Sequence, residues 1–455
     1  MVSLIWPYFA KMKKNLFSPF ALPVYFFALT IILGAFFLRQ PFSLKSQSIS
    51  WVDAFFTATS ATCVTGLVVV DTGSFFSLFG QWVILILIQL GGLGIMTYTS
   101  LVFYLWKKKI SLTDRIAIGE SLLHDRSFSL GHFLIKMIKF VFLIELLGAL
   151  CLYLVDAKSF SPFSALFHSV SAFCNAGFAL FKNSLIPWQG DWAVNLIFMA
   201  LIILGGLGFG VILEVWEKLT GLRQKKLSWH AKVVLTTTLF LIIGGTILIG
   251  LAESVASNQF DFAHTLLTSL FQSVTCRTAG FNTLPIEQMT NLSLLFMIFL
   301  MFIGGSPGSC AGGIKTTTFR TLVAFSWSNI IGRKQTVIER CAVDEKSLNK
   351  AFTLIIFALV IVFTSTAVLL STEGGDVAHH LSKGLFLEVL FEVVSAFGTV
   401  GLSVGLTPKL STPGKIVVIL LMFVGRLGPI LFLSFVQSWQ TKERFRWPEN
   451  SLLIG

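Results

Sequence analysis

Charge is what this 455-residue sequence has least of: 12% of its residues are Asp, Glu, Lys or Arg, about half the roughly 25% of a soluble domain. The deficit excludes a water-soluble globule and points to a chain dissolved largely in lipid, as does a hydrophobic share of 55%. Tyrosine is scarce, 5 residues against 46 Phe, and Phe brings no polar atom that lipid would leave unsatisfied. Cysteine is sparse: Cys63, Cys151, Cys174, Cys276, Cys310 and Cys341 include no C-x-x-C pair and lie mostly in apolar segments, implying neither a zinc site nor a disulfide framework. An H-E-x-x-H motif, a nucleophile elbow and a catalytic pair of intramembrane carboxylates are all lacking, so no enzyme class is supported. No small-residue cleavage site follows Lys11, Lys13, Lys14 and the next apolar run, which reads as an uncleaved first span.

Long apolar runs are what is present. A bilayer needs about 20 apolar residues per helical span. Candidates are 21–38, 82–106, 133–155, 193–216, 233–251, 292–303 with its continuation, 351–370 and 416–435. Eight spans put both termini on one side. Segments on that side hold 25 of the 34 Lys and Arg, which makes it the cytoplasmic side. The net charge of +12 therefore reports topology and not a nucleic-acid partner, because the charges border the spans.

Between paired spans lies a shorter segment rich in Ser, Thr and Gly, and the four such segments superpose. They run from Phe56 to Gly66, Phe167 to Gly177, Phe271 to Gly280 and Phe391 to Gly401, the third one residue shorter, and a large apolar residue follows each glycine. A second glycine cluster recurs 25, 28, 24 and 24 residues downstream, beginning at Gly91, Gly205, Gly304 and Gly425. Two landmarks repeated four times at near-constant spacing indicate one unit copied around an axis. The expected fold is an all-α polytopic membrane protein of eight transmembrane helices in four M1–pore helix–M2 repeats around a central pore. The repeats would cover residues 1–106, 107–219, 220–335 and 336–455.

Irregular backbone at membrane depth is tolerated only inside protein or around a water-filled cavity. Four glycine-containing loops meet that condition together around a hole, where carbonyl oxygens can replace the water shell of an alkali cation. Ser50 with Asp53, Ser161 with Pro162, and Asp261 are helix-start signals before these loops. Each short helix would then turn its partly negative C-terminal end towards the loop. The outward segments carry Asp53, Asp71, Asp156, Asp191, Asp261, Glu287, Glu373 and Asp376, which either gather cations or are ordinary loop charges.

The third M2 is interrupted by Gly304-Gly305-Ser306-Pro307-Gly308-Ser309-Cys310-Ala311-Gly312-Gly313, in which five Gly and one Pro cannot hold a regular helix. Gly308 and Gly313 have the spacing of a phosphate-binding loop, but Ile314 separates Gly313 from Lys315 and no strand precedes. The stretch is better read as an unwound segment in the pore, with Ser306, Ser309, Lys315 and Thr316 as its polar groups. Arg426 stands where the first three repeats have Gly92, Gly206 and Gly305, so an arginine projects towards the same axis. Intramembrane charge is functional by default, and Arg426 is expected to contact carbonyls of the 304–313 loop, as a barrier to cation leak or else as a structural partner of a buried acid. Glu145, Glu214, Glu253, Glu388, Glu392 and His168 read as structural partners rather than proton carriers.

Together these features resemble the Ktr/Trk/HKT superfamily of potassium transporters, most of all its bacterial KtrB-type membrane subunits. The resemblance spans essentially the whole chain and is most specific at Arg277-Thr278-Ala279-Gly280-Phe281-Asn282 and Gly312-Gly313-Ile314-Lys315. It implies one filter glycine per loop and potassium selectivity, since all four are Gly and none is the Ser found in some sodium-carrying plant members. The implied filter, binding K+ through its carbonyls, is Thr62, Cys63, Val64, Thr65, Gly66; Phe173, Cys174, Asn175, Ala176, Gly177; Arg277, Thr278, Ala279, Gly280; and Phe397, Gly398, Thr399, Val400, Gly401. The Arg277 carbonyl is expected to face the pore and its side chain to lie behind the filter, with Glu392 as a candidate partner. The resemblance further implies an intramembrane gating loop, no covalently bound cofactor, potassium as the transported ion with sodium as a candidate coupling or activating ion, and a bacterial cytoplasmic membrane. It also implies a homodimer on a cytoplasmic ring of nucleotide-binding RCK-type subunits, docked against 106–132, 221–232 and 332–350 and near the tail 444–455. The competing expectation is a secondary transporter with unwound helices carrying another cation or a small solute; its usual two inverted halves fit four like-oriented loops poorly.

Overall fold

A computed structural model describes residues 22–45, 48–93, 130–221, 226–256, 261–375, 382 and 384–428. The tail 444–455, most of 106–132, Gly94, Asp376 and the inner ends of the spans 82–106 and 416–435 lie outside the described residues. The helices are α1 (Leu22–Leu38), α2 (Trp51–Thr62), α3 (Leu78–Gly92), α4 (Leu130–Val155), α5 (Pro162–Phe173), α6 (Trp192–Leu207), α7 (Phe209–Leu219), α8 (Trp229–Ala256), α9 (Phe262–Thr275), α10 (Asn291–Phe302), α11 (Thr316–Ile330), α12 (Glu345–Glu373), α13 (Leu385–Gly398) and α14 (Thr412–Leu427). Strands β1 (Val337–Ile338) and β2 (Cys341–Ala342) form a small antiparallel hairpin.

Long outer helices and short inner helices alternate along the chain. Stretches Ile135–Val155, Trp229–Val255 and Glu345–Glu373 are each long and apolar enough to cross a membrane; α6 and α7 qualify as a bent pair, and Val24–Leu38, Leu78–Gly92 and Asn291–Phe302 are shorter apolar helices. This is a multi-pass membrane protein. Between neighbouring spans the short helices α2, α5, α9 and α13 are the four pore helices, each packed on its own M1 (α1, α4, α8 and α12). Lipid gives helices little hydrophobic reason to associate, so close approach of small residues must hold them. A side chain added at Gly34, Gly148 or Gly245 of M1 would strike both the pore helix (Ala58, Ser169, Ser273) and M2 (Leu87, Leu201, Leu300) of the same repeat.

The predicted helix starts are present: Ser50 accepts from Asp53 N, Ser161 from Ser164 N and Asp261 from Ala263 N. Asp71 and Asp191 are also N-caps, and Asp53 pairs with Lys415 at 2.7 Å. M1 is tied to the start of M2 in two repeats by a glutamate that accepts from the N-cap residue of M2. Glu253 accepts from Thr290 N at 3.1 Å, and Glu373 accepts from Ser411 N at 3.0 Å.

One predicted span is corrected. The run 193–216 is not a continuous helix: α6 and α7 meet at a bend of 110°. Gly208 sits at the corner with φ +92°, and a side chain there would lie 2.6 Å from Pro307 O. The second repeat is therefore broken as well as the third.

Candidate functional site: a ring of four loops above an unwound segment

At the end of each pore helix the chain leaves the right-handed region twice, two residues apart. Val64 and Gly66, Asn175 and Gly177, Thr278 and Gly280, and Thr399 and Gly401 all have positive φ, between +52° and +97°. Alternating left- and right-handed residues turn successive carbonyls to the same side of the backbone, and the second position in each loop is the glycine for which this conformation is cheap.

The four glycines close a ring in chain order. A Cβ on Gly66 would lie 2.6 Å from Ala176 O, one on Gly177 2.8 Å from Ala279 O, and one on Gly280 2.5 Å from Val400 O. One on Gly401 would lie closer still to Thr65 O. Each repeat thus rests its glycine on the carbonyl preceding the next repeat's glycine. Thr62 to Gly66, Phe173 to Ala176, Arg277 to Gly280 and Phe397 to Gly401 are buried, with Gly177 half-buried.

Sequence reasoning missed what braces the loops. Four residues after the buried Phe56, Phe167, Phe271 and Phe391 come Ser60, Ser171, Thr275 and Ser395, one helical turn on. Ser60 and Ser395 hydroxyls accept from Gly66 N and Gly401 N, each at 3.1 Å, whereas Ser171 and Thr275 hydroxyls donate to Phe178 O and Phe281 O at 2.8 and 2.6 Å. The repeated Phe-x-x-x-Ser/Thr spacing was the available signal. Two more braces follow the Phe directly: His168 Nε2 accepts from Leu180 N at 3.1 Å, and Glu392 accepts from Thr407 Oγ1 at 2.6 Å and from Ser403 Oγ. Those bonds commit Glu392, so it is not the partner of Arg277. Glu388, one turn earlier, is exposed.

Beneath the ring the third M2 unwinds as predicted between Phe302 and Thr316. A side chain on Gly312 would collide with Thr399, and one on Gly313 would sit 3.3 Å from Gly398 Cα, so the segment lies against the fourth loop. Ser306 and Thr316 hydroxyls bond at 3.0 Å, Ser309 Oγ donates to Ser306 O at 2.7 Å, and Lys315 Nζ donates to Ala311 O at 2.6 Å. The second repeat also holds it: Ser306 N donates to Gly206 O (3.0 Å), Cys310 N to Gly205 O (3.1 Å) and Phe209 N to Gly308 O (3.0 Å). Pro307 and Ser309 are half-buried and Gly308 exposed, whereas Gly304, Gly305, Ser306 and Gly312 are buried.

Arg426 is 7% exposed and donates to Cys310 O of the unwound segment and to Gly91 O of the first M2. One guanidinium thus joins the repeats on either side of its own. In both of these bonds the acceptor is a backbone carbonyl. Among the described residues no cluster of three or more His, Cys, Asp or Glu could hold a resident metal.

Fold and site define a class: an all-α multi-pass membrane protein with a pseudo-fourfold arrangement of four loops around a central pore. A family model described as TrkH, cation transport protein, matches residues 16–438. The chain is 41% identical over 441 residues to Ktr system potassium uptake protein B of Bacillus subtilis (strain 168), covering 94% of this chain and 95% of that protein. It is 37% identical over 456 residues to the potassium/sodium uptake protein NtpJ of Enterococcus hirae, covering 98% and 99%. The crystal structure of the potassium transporter TrkH from Vibrio parahaemolyticus shares the fold, with TM-score 0.72 at 19% identity over 92% of this chain and 85% of that one. The chain belongs to the TrkH family of cation transport proteins; it is a transporter and not an enzyme.

Proposed function

We propose that the protein carries potassium into the cell through the ring at Gly66, Gly177, Gly280 and Gly401. The single observation that supports this most is the closed ring: four loops with the same two left-handed positions, each resting on its neighbour's carbonyl. Carbonyls from four such loops give a dehydrated alkali cation neutral oxygen ligands on all sides, and the C-terminal ends of α2, α5, α9 and α13 add a favourable field. Relatives described as potassium uptake proteins favour potassium as the cargo. A second reading, in which sodium is also carried or coupled, draws on the printed name of the Enterococcus hirae relative.

The unwound segment and Arg426 act as the gate. The arginine fastens the segment under the ring and places positive charge in the cation's path. The four repeats extend over residues 1–106, 107–219, 220–335 and 336–455, with both termini in the cytoplasm of a bacterial inner membrane. The protein works in a multi-component system, as the Ktr system name of its relatives suggests, as a homodimer seated on a cytoplasmic RCK-type ring. The test is growth of a potassium-uptake-deficient bacterium at low potassium, rescued by the wild type and by Gly66→Ser, Gly177→Ser, Gly280→Ser and Gly401→Ser in turn. Rescue by the wild type but by none or few of the variants is expected. Rescue undiminished in all four removes the filter assignment.

A further inference from the structure

Arg277 carries a charge that the cation path does not use. Its side chain is 6% exposed, and among the described residues nothing pairs with its Nε or Nη2. It faces a cavity of about 10 Å³ behind the third loop, walled by Ile202, Ile203, Gly206, Ile242 and Val274. These come from M2 of the second repeat, M1 of the third and the third pore helix, so the cavity is a seam between two repeats.

A guanidinium stays protonated in a protein, and leaving it uncompensated at low dielectric is strongly unfavourable. Neither buried acid on the neighbouring elements pairs with it: Glu392 binds Ser403 and Thr407, and Glu145 receives Cys174 Sγ on Oε1 at 3.7 Å and keeps Oε2 without a protein partner. Lys315 and Arg426 add charge of the same sign around the pore, as does any cation in it. A water molecule would accept from Nε–H and Nη2–H but leave the charge standing. A small monovalent anion answers both needs, since the two N–H groups on one edge of the guanidinium converge on a single acceptor. A space of about 10 Å³ suits a single monatomic ion better than phosphate, sulfate or a lipid headgroup.

We propose that a halide, chloride in the cell, binds between Arg277 and the isoleucine wall and serves as the fixed counter-ion of the third loop. This inference does not rest on which cation the ring carries. Two measurements on the purified full-length protein test it. The first is thermal unfolding with chloride, bromide or gluconate as the sole anion. Halide should raise the wild-type melting temperature by roughly 1.5 °C per tenfold rise above its Kd, and Arg277→Met and Arg277→Gln should lose that dependence. The second is anomalous diffraction from crystals grown in bromide, with one peak expected against the Arg277 guanidinium. Absence of that peak overturns the proposal, as does a wild-type melting temperature indifferent to halide; a peak without thermal dependence marks an adventitious ion only. Where neither variant folds, the wild-type peak and its thermal dependence decide.

Discussion

Replacing the four ring glycines by alanine should do unequal harm, in an order set by the geometry. All four pay for a left-handed backbone, about 1 kcal/mol relative to glycine. The steric part differs. Against Ala279 O the new methyl of Gly177→Ala begins at 2.8 Å, so a shift of about 0.6 Å restores an ordinary carbon–oxygen contact, the smallest displacement of the four and close to the roughly 0.5 Å that a preorganised site tolerates. Gly66→Ala and Gly280→Ala begin at 2.6 and 2.5 Å, and Gly401→Ala begins inside Thr65 O. There the neighbouring carbonyl has to turn away, and a lost carbonyl ligand removes about 1–2 kcal/mol of ion binding, hence about 5–30-fold in KM. The assay is rubidium uptake into proteoliposomes, with KM and inhibition by sodium measured for each variant at matched protein content. Gly177→Ala should raise KM least, Gly66→Ala and Gly280→Ala should fall between, and Gly401→Ala should lose uptake or discrimination. Equal effects at all four positions, or an unaltered KM in Gly401→Ala, would refute the reasoning that carbonyl contact around the ring sets ion binding.

Arg426→Gln removes two charge-assisted hydrogen bonds, each worth about 1.5–3 kcal/mol; cation leak in the resting state should rise at least tenfold by potassium efflux from loaded liposomes, with Arg426→Lys in between. Ser395→Ala leaves Gly401 N without its acceptor, at about 1–3 kcal/mol, and should weaken rubidium binding more than Ser171→Ala, whose hydroxyl only donates to a carbonyl; competition isotherms decide. Asp344, outside the membrane, has its carboxyl held below the usual range by the hydrogen bond with Ser347. A lowered pKa stabilises above the unfolded value and is lost as pH falls through the folded one. Asp344→Ala should therefore speed amide exchange at the start of α12 about fivefold at pH 7, and the difference from wild type should vanish in acid.

Much of this architecture was legible because it depends on local chemistry repeated four times. The N-caps at Ser50, Ser161 and Asp261, the loop glycines and the unwound stretch around Pro307 each follow from residues within a few positions of one another. The corner at Gly208 did not, because Gly-Gly-Leu-Gly by itself does not dictate where a helix bends. What bends the second M2 is a partner about a hundred residues away, since Phe209 N is claimed by Gly308 O. The Asp53–Lys415 pair joins residues 362 apart and has no local signature. The Ser and Thr braces were present in the repeat, but their role appears only when a pore helix is seen to end beside its own loop. Arg426 was legible by position, since it replaces a glycine in a repeat, while its acceptors depended on two other repeats.

The ring also has a consequence for synthesis. Three of its seams join consecutive repeats and can form as the chain emerges. The last joins Gly401 to Thr65 and is reinforced outside by Lys415 and Asp53. It cannot close until nearly the whole polypeptide has been made. A chain of one, two or three repeats lacks the partner for this seam, so the first loop inserted waits for the last before the ring is complete.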